Sequence, residues 1–232
     1  MLSFEPFTHL SFDCYGTLID WESGILDAVS PALRDHGVEL SDADILSRYA
    51  YWEAELESDD PFRTYREILC GVWENMVREA GLTMESTVPT LIADSLPKWR
   101  PFSDTIDALA RLASRFKLVI LSNVDDDLFA ETSESLPVDF AAVITAEQVG
   151  SYKPSLDNFR FALSRLGIES GQLLHVAQSI YHDHVPAKQL GWSTVRINRA
   201  SARPDVGVAP SATAQPDLEV PDLASLADRA GV

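Results

Sequence analysis

Four short stretches hold the residues able to do chemistry. Asp13-Cys14-Tyr15-Gly16-Thr17 closes an apolar run that starts at His9, and Ser122-Asn123 follows Lys117-Leu118-Val119-Ile120-Leu121. Lys153 lies in Ser151-Tyr152-Lys153-Pro154, and Gln178-Ser179-Ile180-Tyr181-His182-Asp183-His184 follows the run 173–177. A carboxylate at a strand end can attack an electrophilic centre and form a covalent intermediate that water later resolves. Alone, each stretch has a plainer reading: Asp13 as a turn or helix-capping residue, Lys153-Pro154 as a surface loop, the hydroxyls as caps. Chemistry needs a fold that brings them together.

The intervening sequence supplies one. Residues 9–12 read as a strand leading into a tight turn. A helical stretch then runs over about 21–96, with Ser41 and Asp44 forming a capping-box start. In it Tyr65, Ile68, Leu69, Val72, Trp73, Met76 and Val77 recur at helical spacing, ending at Gly81. After Pro101, Ser103 is expected to cap a helix with Ile106, Leu109, Leu112 and Ala113 inward. Strand 117–121, helix 126–135, strand 140–145, helix 155–166 (Leu156, Phe159, Leu163 and Leu166 on one face), strand 173–177, helix 182–190 and strand 194–197 follow. Residues 200–217, rich in Ala, Pro and Ser, read as irregular before a last strand and helix. Such alternation implies right-handed crossovers and a parallel sheet covered on both faces. The expected architecture is α/β: a doubly wound, Rossmann-like core of residues 1–18 and 100–232, with a helical insertion over 19–99. Ligands of such sheets bind at the carboxyl ends of the strands. Asp13, Thr17, Ser122, Asn123, Lys153 and the group 178–183 all lie there, and the insertion leaves from the same edge.

Composition narrows the partners. The 232 residues are 46% hydrophobic and 23% charged, as in globular proteins, and carry 18 Lys and Arg against 36 Asp and Glu. A net charge of −18 argues against nucleic acid or an anionic membrane, which need a basic face, but leaves room for a small anionic substrate held by local cations. No run approaches the roughly 18 apolar residues of a membrane span. The start, MLSFEPFTHL, lacks the marks of a secretory signal, and Cys14 and Cys70 suit neither a disulfide framework nor a cysteine zinc site. A cytoplasmic location is expected, and a homodimer stays open.

FDCYGTLID, LSNVD, SYKP and HVAQSIYHDHVPA resemble, in order, the four motifs of the haloacid dehalogenase superfamily, and the helical insertion looks like that family's cap domain. The resemblance implies that Asp13 is the nucleophile and that Lys153 places an ammonium beside it, keeping it ionised and attracting an anionic substrate. It further implies that Thr17, Ser122 and Asn123 orient Asp13 and the substrate carboxylate, that Tyr15 and Ser179 line the substrate site, and that Asp183 activates water, with His182 or His184 sharing the task. Where the superfamily's phosphatases carry a second, proton-donating Asp, this chain has Tyr15, a poor donor at neutral pH. Where they hold Mg²⁺ with an Asp, it has Gln178, a weaker ligand for a hard dication. Both departures favour a metal-independent enzyme resembling the (S)-2-haloacid dehalogenases, because halide leaves without a proton. No cofactor is expected, and the His182-Asp183-His184 triplet is read as splayed apart, with His175 at the far end of its strand. Arg48 stands where the cap arginine that receives the halide is expected, with Tyr51, Trp52 and Trp99 as further pocket candidates. Phe159 stands where those enzymes carry a tyrosine.

A narrower resemblance, carried by DCYGTLIDWE, ITAEQVGSYKP and SIYHDH, is to azetidine-2-carboxylate hydrolases, in which a strained ring nitrogen leaves instead. The substrate is thus expected to be a small 2-substituted carboxylic acid attacked at C2 to give an aspartyl ester. A Mg²⁺-dependent phosphatase and a catalytically silent binding relative are the other readings.

Overall fold

The computed structural model describes residues 2–58, 61–199 and 213–232. Strand β1 (His9–Phe12) is followed by helices α1 (Trp21–Asp35), α2 (Asp42–Glu57), α3 (Tyr65–Glu79) and α4 (Leu91–Ser95) before α5 (Thr105–Ala113) and β2 (Lys117–Ser122). The remainder alternates: α6 (Asp126–Ser133), β3 (Phe140–Thr145), α7 (Ala146–Val149), α8 (Leu156–Leu166), β4 (Leu173–Ala177), α9 (Val185–Gln189), β5 (Ser193–Ile197), β6 (Leu218–Val220) and α10 (Leu223–Ala230). The strands form one six-stranded sheet in the order β3-β2-β1-β4-β5-β6, every pairing parallel. β1 is buried along its whole length and bonded on both edges, with Phe12 level with Ile120 on one side and Val176 on the other. Chain order reverses about β1, which opens a crevice at its carboxyl end.

The helical insertion is held by capped, amphipathic helices. Ser41 accepts from Asp44 N at the start of α2, and Thr64 with Glu67 forms a reciprocal capping box on α3. All seven apolar residues read from the α3 pattern are buried, each contributing roughly 1.5–3 kcal/mol by leaving water. The insertion is tied to the core by Asp125, 3% exposed at the head of α6, whose carboxylate accepts from Tyr65 N (2.7 Å) and Arg66 N (2.8 Å).

Three local expectations are corrected. Ser103 does not cap α5: Asp104 precedes the helix and instead accepts from Arg199 Nη1 (2.6 Å) and Leu223 N (2.7 Å). Thr105 is buried and donates to Leu18 O, which turns the helix so that Thr105, Ala108, Leu109 and Leu112 face inward while Ile106 is 45% exposed and Ala113 is also exposed. The helix expected over 182–190 is divided into a π-helical turn, Ile180–His184, and α9, with Pro186 in the first turn of α9. Of the expected irregular stretch 200–217, residues 200–212 lie outside the described residues.

Candidate active site

Asp13 follows directly on β1 and is 8% exposed, its amide bonded to Val176 O. Thr17 comes back beneath it through a tight turn in which Gly16 has φ +96°, a conformation that favours glycine. An added Cβ there would also lie 3.1 Å from Gln178 Oε1 and 3.2 Å from Trp21 Nε1. Thr17 Oγ1 donates to Asp13 Oδ2 (2.7 Å) and accepts from Gln178 N (3.0 Å), so one hydroxyl fixes the carboxylate and the loop after β4.

Lys153 binds the other oxygen. Its ammonium, 2% exposed, reaches Asp13 Oδ1 at 2.9 Å, Asp183 Oδ1 at 2.7 Å and Leu121 O at 3.0 Å. The Asn123 side chain braces the Lys153 backbone from both sides, accepting from its N (2.7 Å) and donating to its O (3.1 Å). Burial alone would lower the lysine pKa, but Asp13 and Asp183 outweigh it and hold the ammonium above its ordinary range. Burial raises Asp13 against the opposing pull of Lys153, giving a more basic carboxylate that still sits on a cation. Asp183 goes the other way: burial would raise it, yet Lys153 and His175 hold it well below the usual carboxylate range.

His175 is the core residue that the sequence reading misplaced. Far from being remote, its Nε2 lies 3.0 Å from Asp183 Oδ1, and its Nδ1 lies 2.9 Å from Ser11 Oγ. A lone imidazole between Leu174 and Val176 in a fully buried strand must find polar partners, and that requirement was the signal. Asp183 Oδ1 is thereby doubly engaged, whereas Oδ2 and Ser122 Oγ are buried with no partner among the described residues.

These groups face a cavity of about 90 Å³ lined by Asp13, Tyr15, Ser122, Asn123, Lys153, Ser179, His182 and Asp183 from the core, and by Glu53, Glu57 and Tyr65 from the helical insertion. The Tyr15 hydroxyl pairs with Thr132 Oγ1 at 2.8 Å, and burial pushes the phenol well up, so Tyr15 does not replace a carboxylic acid. Ser179 Oγ accepts from His182 N (3.1 Å) and holds the π-helical turn. Burial brings His182 and His184 down to about 4, so both are neutral at pH 7. His184 Nε2 bonds Ala177 O, and the residue is not among those lining the cavity.

Arg48 is not brought to the cavity. It pairs with Glu79, which also accepts from Trp52 Nε1 (3.1 Å), on the outer side of the insertion. Tyr51 is 53% exposed and stacks edge-on against Trp52, and Trp99 is buried against Tyr15 and over Gly24, where an added Cβ would come within 2.3 Å of its ring. Phe159 packs between His175 and Trp192. Sequence reasoning missed Glu53, Glu57 and Tyr65, which share no motif. Their only sequence signal is the four-residue spacing that sets Glu53 and Glu57 on one face of α2.

Mg²⁺, which the superfamily's phosphatases use, does not fit this donor set. Asp13 and Asp183 share one ammonium, Gln178 offers a neutral amide, and no group of three or more His, Cys, Asp or Glu suited to a metal occurs among the described residues.

An (S)-2-haloacid dehalogenase from Pseudomonas sp. (strain CBS-3) is 24% identical over 221 residues, covering 89% of this chain and 91% of that one. A glyceraldehyde 3-phosphate phosphatase from Methanocaldococcus jannaschii is 36% identical over 105 residues, 42% of this chain and 44% of that one. The structure of an L-2-haloacid dehalogenase from Xanthobacter autotrophicus with chloropropionic acid covalently bound superposes with a TM-score of 0.81 at 23% identity, covering 96% of this chain and 97% of that one. The model of the haloacid dehalogenase-like hydrolases matches residues 7–191, and the chain belongs to that family of hydrolases.

Proposed function

We propose that this hydrolase displaces a leaving group from C2 of a small 2-substituted carboxylic acid by attack of Asp13. The observation that carries this reading is the single buried ammonium, Lys153 Nζ, in contact with both Asp13 and Asp183. Asp13 attacks C2, the C2–leaving-group bond breaks with its electron pair going to the leaving group, and an ester joins Asp13 to the substrate. Water then attacks the ester carbonyl, regenerating Asp13 and releasing the 2-hydroxy acid. Asp183 Oδ2 and neutral His182 are the acceptors on the cavity wall that hold this water, and Ser122 Oγ is the donor for the substrate carboxylate, with Asn123 holding Lys153 in place. The names of the curated relatives and the covalent chloropropionic acid in a structural neighbour support halide as the leaving group. A ring nitrogen is favoured by one observation: Glu53 and Glu57 stand on the opposite wall, and Lys153 is the only cation among the described lining residues. A phosphatase reading lacks its proton donor, because Tyr15 takes that place.

Asp183→Asn tests the mechanism on 2-chloropropionate and azetidine-2-carboxylate. Formation of the ester needs Asp13 and Lys153, whereas its hydrolysis loses the group that holds water, typically a loss of about 10²–10⁴-fold. The expected result is one equivalent of product in a burst, with a matching mass increase on the peptide that contains Asp13. Unimpaired steady turnover with no adduct would overturn it.

A further inference from the structure

We propose that His175, with Ser11 behind it, is a positioning residue for the second half of the reaction. It pins one oxygen of Asp183 and so presents the other to the water that hydrolyses the Asp13 ester. The inference rests on the displacement proposed above, and it concerns a residue that is not among those lining the cavity.

The support is built into the sheet. Ser11 on β1 stands level with His175 on β4, so the two side chains share one face, and both are fully buried. Phe159 and Trp192 hold the imidazole edge-on, with ring centroids 5.7 and 6.1 Å away, which fixes its plane. A polar ring in so apolar a place costs stability unless its nitrogens are bonded. Each nitrogen has one partner: Asp183 Oδ1 lies 3.0 Å from Nε2, and Ser11 Oγ lies 2.9 Å from Nδ1.

Those partners assign the proton. Asp183 is held ionised by Lys153 and can only accept, so Nε2 carries a hydrogen and donates it. In the neutral ring Nδ1 is then the acceptor, and the Ser11 hydroxyl donates to it. Asp183 Oδ1 therefore takes two donors, the Lys153 ammonium and His175 Nε2, while Oδ2 takes none among the described residues. Lys153 is shared with Asp13 and would alone leave the Asp183 carboxylate free to turn. A second donor from a clamped ring removes that freedom and commits Oδ2 to the cavity.

This makes His175 selective for one step. Ester formation needs Asp13 and Lys153, and His175 has no hydrogen bond to either. Hydrolysis needs an acceptor in a fixed place. Water's oxygen bonds to the ester carbon of Asp13, and the bond from that carbon to the substrate oxygen breaks. One proton goes to that oxygen and one to solvent, so no further reactant is required.

Two amide variants separate positioning from packing. His175→Gln puts an N–H where Nε2 stands and can still donate to Asp183. His175→Asn, one methylene shorter, stays polar beside Ser11 but stops short of Asp183. Rapid quenching and mass spectrometry follow the adduct on Asp13 with 2-chloropropionate or azetidine-2-carboxylate, whichever the wild type turns over. In His175→Asn the adduct should form at the wild-type rate and decay about 10²-fold more slowly, the loss that a small misplacement produces. His175→Gln should bring decay back to within about tenfold of wild type. A packing defect would slow formation and decay together, in both variants. Equal slowing of the two steps, wild-type decay in His175→Asn, or no recovery in folded His175→Gln overturns the inference and leaves the Asp13 displacement standing. If a His175 variant does not fold, Ser11→Ala carries the test. Decay should then slow about threefold or more with formation unchanged, the worth of one ordinary hydrogen bond, and unchanged decay overturns the inference. Turnover with no adduct in any of these proteins, or no turnover of either acid, brings down the displacement reading and this inference with it.

Discussion

On the sheet side of the cavity, charge is matched atom by atom: Lys153 Nζ sits between Asp13 and Asp183, and Asp183 continues through His175 to Ser11. On the helical side, Glu53 and Glu57 lie one turn apart and meet only phenols and one amide. The sheet side is a complete electrostatic unit before any substrate arrives. The helical side has a charge that its own residues leave uncompensated. A buried set with satisfied partners specifies a reaction that proceeds in the same way on many substrates, whereas an unsatisfied wall specifies which substrate completes it. The two sides are also joined differently: the sheet side by hydrogen bonds between strand ends, the helical side to the core through Asp125.

The largest expected effect breaks the sheet side. Asp13→Asn keeps the shape of the residue but removes the nucleophile and one of the two anions on Lys153. Turnover of whichever substrate proves productive should fall by at least about 10³-fold, in line with loss of a group that forms the covalent intermediate. Steady-state kinetics, with mass spectrometry to exclude deamidation back to Asp, measure it. A rate within tenfold of wild type would show that the carboxylate is not the attacking group.

Asp125→Ala loosens the two sides from each other while leaving every side chain that lines the cavity unaltered. Two amides at the start of α3 lose their acceptor, Tyr65 N in a buried place and Arg66 N in a half-buried one, at a cost of roughly 1–3 kcal/mol for the buried one before relaxation. Thermal unfolding should shift down by several degrees, and KM should rise more than kcat falls, because α3 carries Tyr65 and packs beside α2. If stability drops with no change in KM, the helical side does not depend on this tie for its place.

How much of this was legible differs between the sides for a physical reason. Asp13, Thr17, Ser122 and Asn123 stand at strand ends or in the turns that follow them, so strand ends found from apolar runs were enough to place them. Lys153 instead follows α7 and Asp183 lies in the π-helical turn, and both were found through the motifs that resemble the superfamily's. His175 was hidden by its position: a five-residue strand gives no hint of which face meets the next loop, and the π-helical turn that brings Asp183 back over β4 has no sequence signature. In the insertion, periodicity located the buried face of α3 but says nothing about which outward residues overhang the sheet. Arg48, nine residues before Glu57 on the same helix, was chosen by distance along the chain, whereas helical phase turns it to Glu79 and presents Glu53 and Glu57 instead. The phase of α5 failed likewise because one buried hydroxyl, that of Thr105, overrode the apolar pattern.

The smallest expected effect is a difference in sign with pH. Glu57, with its folded pKa raised by burial and by Glu53, is equally protonated in folded and unfolded chains below its usual value of 4.5. Above that pH the unfolded chain ionises more readily, so Glu57 costs stability as pH rises. His184, brought down to about 4 from 6.5, behaves oppositely: it costs nothing at pH 7, and its penalty grows as pH falls from 6.5 towards 4, because the unfolded chain takes up the proton first. Glu57→Gln should therefore raise the unfolding midpoint at pH 7 and leave it unchanged at pH 4. Water in the cavity screens part of the effect, so a gain of about 0.5–2 kcal/mol is expected, the range typical of relieving a functional but unfavourable group. His184→Gln should leave the midpoint at pH 7 near or below wild type, since it disturbs the bond to Ala177 O, yet flatten its fall between pH 6.5 and 4. Thermal unfolding of wild type and both variants at pH 4 and pH 7 reads both signs from the same four conditions on each side. If Glu57→Gln destabilises at pH 7, the carboxyl has a stabilising partner in the folded protein, and the helical wall does not hold the uncompensated charge from which its selectivity for an amine is argued.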